Sequence, residues 1–211
     1  MARYLGPKER IERRLGAKLF LKGERSLSSK SATVRRMYPP GVHGKAMNRK
    51  PTEYGQQLRS KQKIRNIYRM LEKQFKNWVK DAIGSSGETG EILIMKLEHR
   101  LDNAVYRSGL AQSRDQARQL VNHGHILVNG KKVSIASCQI KKGDVISVRE
   151  GSAKSPYFAS LVPVWIKNYQ PPQWLLLDAN ALKATVQGTP TALESGVDLG
   201  DLHSLIEFYS R

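Results

Sequence analysis

Two scarcities in the sequence exclude whole classes of protein. Cys138 is the only cysteine in 211 residues, so no disulfide can form within one chain, which favours a reducing compartment. No apolar run approaches the roughly 18 residues that a membrane-spanning helix needs. The basic N-terminus also lacks the apolar core of a secretion signal. We therefore expect a cytosolic protein with no membrane partner.

Acidic residues are scarce in the first two-fifths of the chain. Residues 1–80 contain 22 Lys or Arg but only five Asp or Glu, whereas residues 161–211 have a slight acidic excess. The net charge of the whole chain is +18 at pH 7, and such an excess repels itself unless an anionic partner neutralises it. Nucleic acid, an anionic membrane surface and an acidic protein are the candidates. The concentration of charge at one end favours nucleic acid.

Residues 1–50 combine this charge with glycine and proline. Pro39-Pro40 and the neighbouring glycines exclude a helix there, while "RIERRL", residues 10–15, predicts a short one. The apolar residues are too few for a separate core. We predict an irregular, extended arm that becomes ordered on a polyanion.

Helical periodicity is clearest over residues 52–83, where apolar residues recur at steps of three and four. A second helix is predicted over 88–108. A third helix is predicted to begin after Ser113, which can form a capping box with Gln116. That helix is predicted to end at Gly124. "HILVNGKKV", residues 125–133, then predicts a β-hairpin with a type I′ turn at its Asn-Gly pair. A turn at 142–144 and another strand complete an α+β pattern, and periodicity leaves the last 11 residues open between helix and strand.

Motifs of catalysis and metal binding are missing. No P-loop, G-x-S-x-G or paired-cysteine motif occurs, and the residues after 160 are too few for a catalytic domain, which argues against an RNA-modifying enzyme. A DNA-binding regulator is the other alternative, because two helices joined by a short turn are typical of a helix-turn-helix. His123 and His125 lack a third metal ligand nearby in the sequence. We predict no metal, no other cofactor and no small-molecule substrate.

The stretch "LEHRLDNAVYRSGLAQSRDQARQLVNHGHILVNGKKV", residues 97–133, resembles the signature of the S-four family of small-subunit ribosomal proteins. The flanking stretches "GPKERIERRLG", "KLFLKGER", "YPPGVHG", "YGQQLRSKQKIRNIY", "PQWLLLD" and "LIEFYSR" resemble the same family, so the resemblance covers essentially the whole chain.

The fold that the resemblance implies is α+β and has four parts. They are a basic irregular RNA-binding arm at 1–50, a helical domain at 51–96 completed by about 180–211, an S-four RNA-binding domain at 97–160, and a Pro-rich connection and strand at 161–179. The S-four domain is implied to have two helices followed by a β-hairpin and a short antiparallel sheet.

The resemblance also implies a structural ribosomal protein and not an enzyme. Such a protein binds small-subunit ribosomal RNA at a multi-helix junction and nucleates assembly of the small subunit. The implied neighbours are small-subunit protein five, other small-subunit proteins, and messenger RNA near the channel through which it enters. Contact with protein five implies a contribution to decoding accuracy. The implied location is the small ribosomal subunit in the cytoplasm, with an organellar version left open.

Basic side chains and two histidines are the candidates for RNA contact, because A-form RNA is recognised mainly through its shape, phosphates and 2′-hydroxyls. The hairpin is predicted to present Lys131 and Lys132 beside an Arg114/Arg118 helix face. Asp201, Glu207 and Tyr209 are the predicted contacts with another protein. The full set of predicted RNA-binding residues is Arg3, Lys8, Arg10, Arg13, Arg14, Lys18, Lys22, Arg25, Lys30, Arg35, Arg36, His43, Lys45, Arg49, Lys50, Arg59, Lys61, Lys63, Arg65, Arg69, Arg100, Arg107, Arg114, Arg118, His123, Lys131 and Lys132.

Many members of this family hold zinc on four cysteines of the arm, and the matching positions here are Glu9, Glu12, Ser26 and Ser31. Two carboxylates and two hydroxyls are a poor tetrahedral set for structural zinc. The sequence therefore indicates a zinc-free form. Hydrogen bonds to the serines and salt bridges from the two glutamates are expected to replace the metal, with the cations Arg10, Arg13, Arg14, Lys18 and Arg25.

Overall fold

The computed structural model describes residues 4–46 and 50–210, which form two compact units. The first unit comprises residues 1–93 and 196–211, and the second comprises residues 94–195. The C-terminal segment of the first unit is shorter than the 180–211 expected, because residues 183–186 form a strand in the sheet of the second unit.

The helices and strands are given in chain order. The helices are α1 (Lys8–Leu15), α2 (Ala32–Arg35), α3 (Glu53–Ile67), α4 (Glu72–Ile83), α5 (Thr89–Glu98), α6 (Leu101–Arg107), α7 (Arg114–Asn122), α8 (Glu150–Ala153), α9 (Val162–Ile166), α10 (Ala192–Ser195) and α11 (Leu199–Ser210). The strands are β1 (Ile126–Val128), β2 (Lys131–Lys132), β3 (Val145–Val148), β4 (Leu175–Asp178) and β5 (Lys183–Val186). A 3-10 turn spans Gly23–Ser26, and a π-helical turn spans Tyr157–Leu161.

The single helix predicted over 52–83 is two helices, α3 and α4. Arg69 has a φ of 55°, in the left-handed region that ends a right-handed helix. The side chains of Tyr68 and Met70 are buried on either side of it. The apolar spacing continues through this turn, which is why periodicity predicted a continuous helix.

The helix predicted over 88–108 is likewise interrupted, between α5 and α6. Around Arg100 the backbone is extended and pairs with a loop of the same unit: Leu101 N donates to Cys138 O at 2.9 Å, and Ile140 N donates to His99 O at 3.0 Å. Pairing with a segment 40 residues away leaves no sign in the local pattern of apolar residues.

The second unit contains an antiparallel sheet with the strand order β2-β1-β3-β5-β4. Ile126 and Ile146 from its strands pack with Leu101, Val105 and Val121 from α6 and α7 in one buried cluster. The region predicted as a Pro-rich connection, 161–179, contains α9 as well as β4. The chain end, left open between helix and strand, is the helix α11.

The N-cap and hairpin predictions are confirmed, but the capping box is only half formed, because the Gln116 side chain accepts from Gln112 N at 3.0 Å and not from Ser113 N. Ser113 Oγ accepts a hydrogen bond from Gln116 N at 3.3 Å at the start of α7, and Gly124 follows its end with a φ of 72°. Asn129 and Gly130, between β1 and β2, have φ values of 50° and 76°, as a type I′ turn requires. The Asn129 side chain also accepts from Val145 N at 2.8 Å, which ties the hairpin tip to β3.

Candidate nucleic-acid interface

Glu12 organises the arm from within. Its carboxylate is buried, and its Oε1 accepts hydrogen bonds from the backbone of Leu19 at 3.1 Å and of Leu21 at 3.2 Å. Two neutral donors to one carboxylate are a strong arrangement, because hydrogen bonds to a charged acceptor are roughly twice as strong as neutral ones. The chain after α1 is thereby folded back onto that helix.

Glu9 holds the other side of the arm. It forms an ion pair with Lys22 at 3.1 Å and accepts from Ser31 Oγ at 3.5 Å and Ala32 N at 3.2 Å. Burial raises the pKa of Glu9, but the Lys22 and Ala32 contacts outweigh it, so the net pKa lies below the ordinary value. This stabilisation is present above the ordinary pKa and is lost as the pH falls through the lowered one.

Three of the four positions that match the family's zinc ligands, Glu9, Ser26 and Ser31, are therefore linked by hydrogen bonds and by Lys22, while Glu12 binds the backbone of Leu19 and Leu21 separately. Ser26 Oγ accepts from Lys22 N at 3.2 Å, and Lys22 in turn pairs with Glu9. The sequence predicted that Arg10, Arg13, Arg14, Lys18 or Arg25 would form the salt bridges of the two glutamates. Lys22, which pairs with Glu9, was not among them. Over residues 4–46 and 50–210, no three His, Cys, Asp or Glu side chains are grouped to hold a metal ion.

Replacing Glu12 with alanine is expected to loosen the arm, because the buried amides of Leu19 and Leu21 lose their acceptor at a cost of about 1–3 kcal/mol. Limited proteolysis of the full chain, with cleavage mapped by mass spectrometry, measures this as faster cutting within residues 13–36. Glu24→Ala is the matched control, since Glu24 is exposed in the same arm. Equal cutting of the two variants contradicts the role given to Glu12.

Exposed cations cover the arm, and Arg59 adds one on α3. Those of the predicted set in the first unit are Arg10, Arg14, Lys18, Arg25, Lys30, Arg35, Arg36, His43, Lys45, Lys50 and Arg59. Lys45 Nζ and the Arg13 guanidinium lie 5.5 and 5.0 Å from the centre of the Tyr38 ring. Arg3 and Arg49 fall outside the described residues.

Other predicted cations of the first unit are engaged in contacts inside it. Arg13 Nε donates to the carbonyls of Arg36 and Tyr38, and Lys8 Nζ to that of Leu21. Lys61 is buried and pairs with Glu72 at 2.6 Å, while Lys63 pairs with Asp201, Arg65 with Glu72 and Lys22 with Glu9. Arg69 is buried, and its Nη2 donates to Tyr4 O at 2.9 Å.

The hairpin of the second unit presents a smaller basic surface. Lys131 and Lys132 in β2 are exposed, as is His123 at the end of α7. Gly124 allows Lys132 to lie against the backbone, since a Cβ there would lie 2.2 Å from Lys132 Cε. Burial, His123 and Arg149 together lower the pKa of His125, whose Nδ1 lies 2.9 Å from Ser152 Oγ.

Gly130→Val is expected to weaken RNA binding by distorting this turn. The position has a φ of 76° and open space where a Cβ would stand, so the cost comes from the backbone conformation, about 1–2 kcal/mol for a residue with a side chain. Asn, which tolerates the left-handed region, is the control at the same position. Filter binding measures affinity, and circular dichroism checks that the helices persist. If folded Gly130→Val and Gly130→Asn bind RNA with equal affinity, the hairpin is not part of the surface that contacts RNA.

Two predicted RNA-binding arginines are buried in the second unit, namely Arg100 and Arg118, the latter from the predicted Arg114/Arg118 face. Arg100 is fully buried and donates to both oxygens of Asp102, at 3.0 and 2.7 Å. Arg118 is also buried, with its Nη1 3.6 Å from Asp102 Oδ2. Arg100 and Arg118 were therefore wrongly predicted as surface contacts, because a carboxylate of α6 draws both guanidiniums inward.

Two half-buried arginines extend this network around Glu98. Arg107 donates to both of its oxygens at 2.9 Å, and Arg114 Nη2 lies 3.9 Å away. Arg114 also donates to Asn103 Oδ1 at 2.7 Å and lies 4.6 Å from the centre of the Tyr106 ring. These contacts fix α6 against α7 and position the hairpin that follows.

The predicted protein-contact residues join α11 to other helices of the first unit. Asp201 Oδ1 accepts from Ser60 Oγ at 2.7 Å, Tyr209 Oη donates to Glu72 at 2.8 Å, and Glu207 accepts from Gln57 at 3.1 Å. Hydrogen bonding to Glu72 and burial raise the pKa of Tyr209, with burial the larger effect. Glu207 alone of the three is exposed.

Three exposed cations near the hairpin and β3 were not predicted, namely Arg149, Lys141 and Lys142. Arg149 N donates to His125 O at 2.9 Å, which brings it beside the end of β1. The signal that could have found it is its position directly after the strand that pairs with β1.

None of the described helices is long and apolar enough to cross a membrane.

Comparison with known proteins places both units among ribosomal sequences. Residues 3–98 match the family model of the ribosomal protein S4/S9 N-terminal domain, and residues 99–146 match that of the S4 domain. The chain is 50% identical to small ribosomal subunit protein uS4 of Halothermothrix orenii over 211 residues. It is 49% identical to that of Kosmotoga olearia and 46% identical to that of Desulfitobacterium hafniense. All three alignments cover the whole of both chains.

Proposed function

Since the chain belongs to the uS4 family of small ribosomal subunit proteins, we propose that it binds small-subunit ribosomal RNA at a multi-helix junction and nucleates assembly of the subunit. The family consists of structural ribosomal proteins, so the chain is not an enzyme. Membership alone does not say which surface meets RNA.

One observation supports the arm as the principal RNA contact. Arg10, Arg14, Lys18, Arg35 and Arg36 are exposed, and none of them forms an ion pair within residues 4–46 and 50–210. In the second unit, by contrast, four of the predicted arginines bind Glu98 or Asp102. Exposed cations that are not held in ion pairs release counterions from a phosphate backbone, which supplies most of the affinity of such interfaces.

The test is filter binding of the full chain to transcripts of small-subunit ribosomal RNA, with large-subunit RNA and duplex DNA of matched length as competitors. The proposal expects tighter binding to the small-subunit transcript at every salt concentration between 50 and 300 mM. A footprint confined to one junction supports nucleation there. Equal affinity for all three polyanions overturns the proposal, because the protein would then bind polyanions through its charge alone and not at a specific RNA site.

We also propose a contact between α11 and small-subunit protein five, which affects decoding accuracy, and a position near the channel through which messenger RNA enters. Glu207 is the suited probe because it is exposed, whereas reversing Asp201 breaks its contacts with α3. Glu207→Gln is expected to raise miscoding in a translation reporter with subunit assembly unchanged. His203→Gln, a change at another exposed position of α11, is the control. If the accuracy of decoding is unchanged, the proposed contact of Glu207 with protein five is wrong, and its role is the hydrogen bond with Gln57 alone.

A further inference from the structure

A cavity of about 680 Å³ lies within the first unit, lined by α1, the end of α3 and the turn that follows α3. This volume is within the roughly 300–1,000 Å³ of pockets that bind small ligands. Four arginines line it: Arg10 and Arg14 from α1, Arg65 from α3 and Arg69 from the turn. No Asp or Glu belongs to the lining, so the cavity attracts anions.

Two of these arginines are available at its rim. Arg10 and Arg14 are one helical turn apart on α1, exposed, and without an ion pair among the described residues. Arg65 lies 3.4 Å from Glu72 through Nη1, yet its Nε is buried without a hydrogen-bond partner in the described part of the chain. Arg10 and Arg14 are therefore the lining cations that a bound phosphate can reach.

The remaining walls suit a flat, partly apolar group. Ile11, Leu15 and Met70 supply apolar surface, and Tyr4 supplies an aromatic ring. The Arg69 guanidinium lies 5.8 Å from the centre of that ring. Asn66 also lines the cavity, and its Nδ2 donates to Gln62 O at 2.7 Å. A free phosphate needs neither the aromatic ring nor the apolar wall.

We propose that this cavity receives one unpaired nucleotide of the bound RNA, with its phosphate on Arg10 and Arg14 and its base against Leu15 and the Tyr4 ring. This rests on the proposed binding of small-subunit ribosomal RNA and adds a site that reads a single residue of it. Proteins recognise RNA sequence mainly by taking unstacked bases onto aromatic rings and guanidinium planes. The cavity combines both with a phosphate site.

Two variants that leave the charge unchanged distinguish the contribution of the cavity to RNA affinity from the contribution of net charge. Leu15→Trp fills the cavity, while Leu27→Trp adds the same ring at an exposed position outside it. Leu15→Trp is expected to lower affinity for the small-subunit transcript roughly 10-fold, within the range for loss of one stacked base, with the salt dependence unchanged. Leu27→Trp is expected to bind like the parent. Thermal melting checks that both fold.

Chemical probing of the transcript at saturating protein identifies the occupant and does not depend on Leu15→Trp folding. The parent is expected to protect the base edge of one unpaired nucleotide. Arg10→Gln/Arg14→Gln is expected to lose that protection, and Lys73→Gln/Lys76→Gln, which removes the same charge at exposed positions outside both the cavity and the arm, to keep it. Identical protection by both pairs, with Leu15→Trp equal to Leu27→Trp, overturns the cavity proposal while RNA binding stands. Failure of the parent to bind the transcript instead overturns the proposed function.

Equilibrium dialysis with AMP and GMP distinguishes an RNA residue from a free nucleotide. A single nucleotide lacks the other phosphate contacts of the RNA, so binding at millimolar concentration or weaker is expected. Micromolar binding that persists when the protein is saturated with small-subunit transcript overturns the RNA residue as occupant and assigns the cavity to a soluble nucleotide.

Discussion

A protein with Arg10, Arg14, Lys18, Arg35 and Arg36 all changed to Gln is expected to bind small-subunit ribosomal RNA about 3,000- to 30,000-fold more weakly at 0.1 M salt. Each cation that neutralises a phosphate contributes about 0.7 to 0.9 to the slope of log K against log salt. Five such contacts therefore flatten the slope by roughly 3.5 to 4.5. Filter binding across a salt series measures the affinity and the slope together.

The matched control removes the same charge elsewhere, at five exposed lysines outside the arm: Lys73, Lys76, Lys80, Lys154 and Lys167. Its slope is expected to stay close to that of the parent, since only long-range attraction is lost. If the two variants give parallel lines displaced equally from the parent, net charge and not the arm determines the binding.

Asp102→Ala is expected to lower the free energy of unfolding of the second unit by about 3–5 kcal/mol. The carboxylate is the shared partner of Arg100 and Arg118, both of them buried. Its removal takes one counter-charge away from each of two buried guanidiniums. Breaking a buried ion pair from one side costs more than the pair contributes, because the remaining charge stays desolvated.

Urea denaturation followed by the fluorescence of Trp165 and Trp174, both in the second unit, measures this loss. Glu150→Ala removes an exposed carboxylate of the same unit and is expected to change stability by less than ~0.5 kcal/mol. Asp102→Asn keeps the shape and one acceptor and is expected to fall between the two. A stability of Asp102→Ala equal to that of Glu150→Ala contradicts the role of the network.

Local signals in the sequence predicted local structure well. Ser113 and Gly124 delimited α7, and Asn129-Gly130 gave the turn and pairing of the hairpin, because each of these signals acts within four residues. The breaks at Arg69 and Arg100 depend on contacts made elsewhere in the unit. The apolar periodicity therefore predicted helices that continue across both positions. Strand β5 was missed for the same reason, since it is stabilised by β3 and β4 and not by its own composition.

The location of basic charge was predicted for the chain as a whole but not residue by residue. Lys131 and Arg118 look alike in the sequence, yet one is exposed and the other buried against Asp102. Only the direction in which α7 packs on α6 separates them. Glu12 shows the converse: cations surround it in sequence, and its carboxylate accepts backbone amides instead.

The first unit is completed by a segment that follows the whole of the second unit in the chain. Leu202 and Leu205 of α11 are buried in it, and Glu207 reaches Gln57 across 150 residues. During synthesis the whole of the second unit emerges before α11 does, so it can fold first, and the helices of residues 53–83 wait for their last partner. A deletion within α11 is therefore expected to damage the unit whose other helices were synthesised first, because those helices lose a packing partner that emerges only after the second unit.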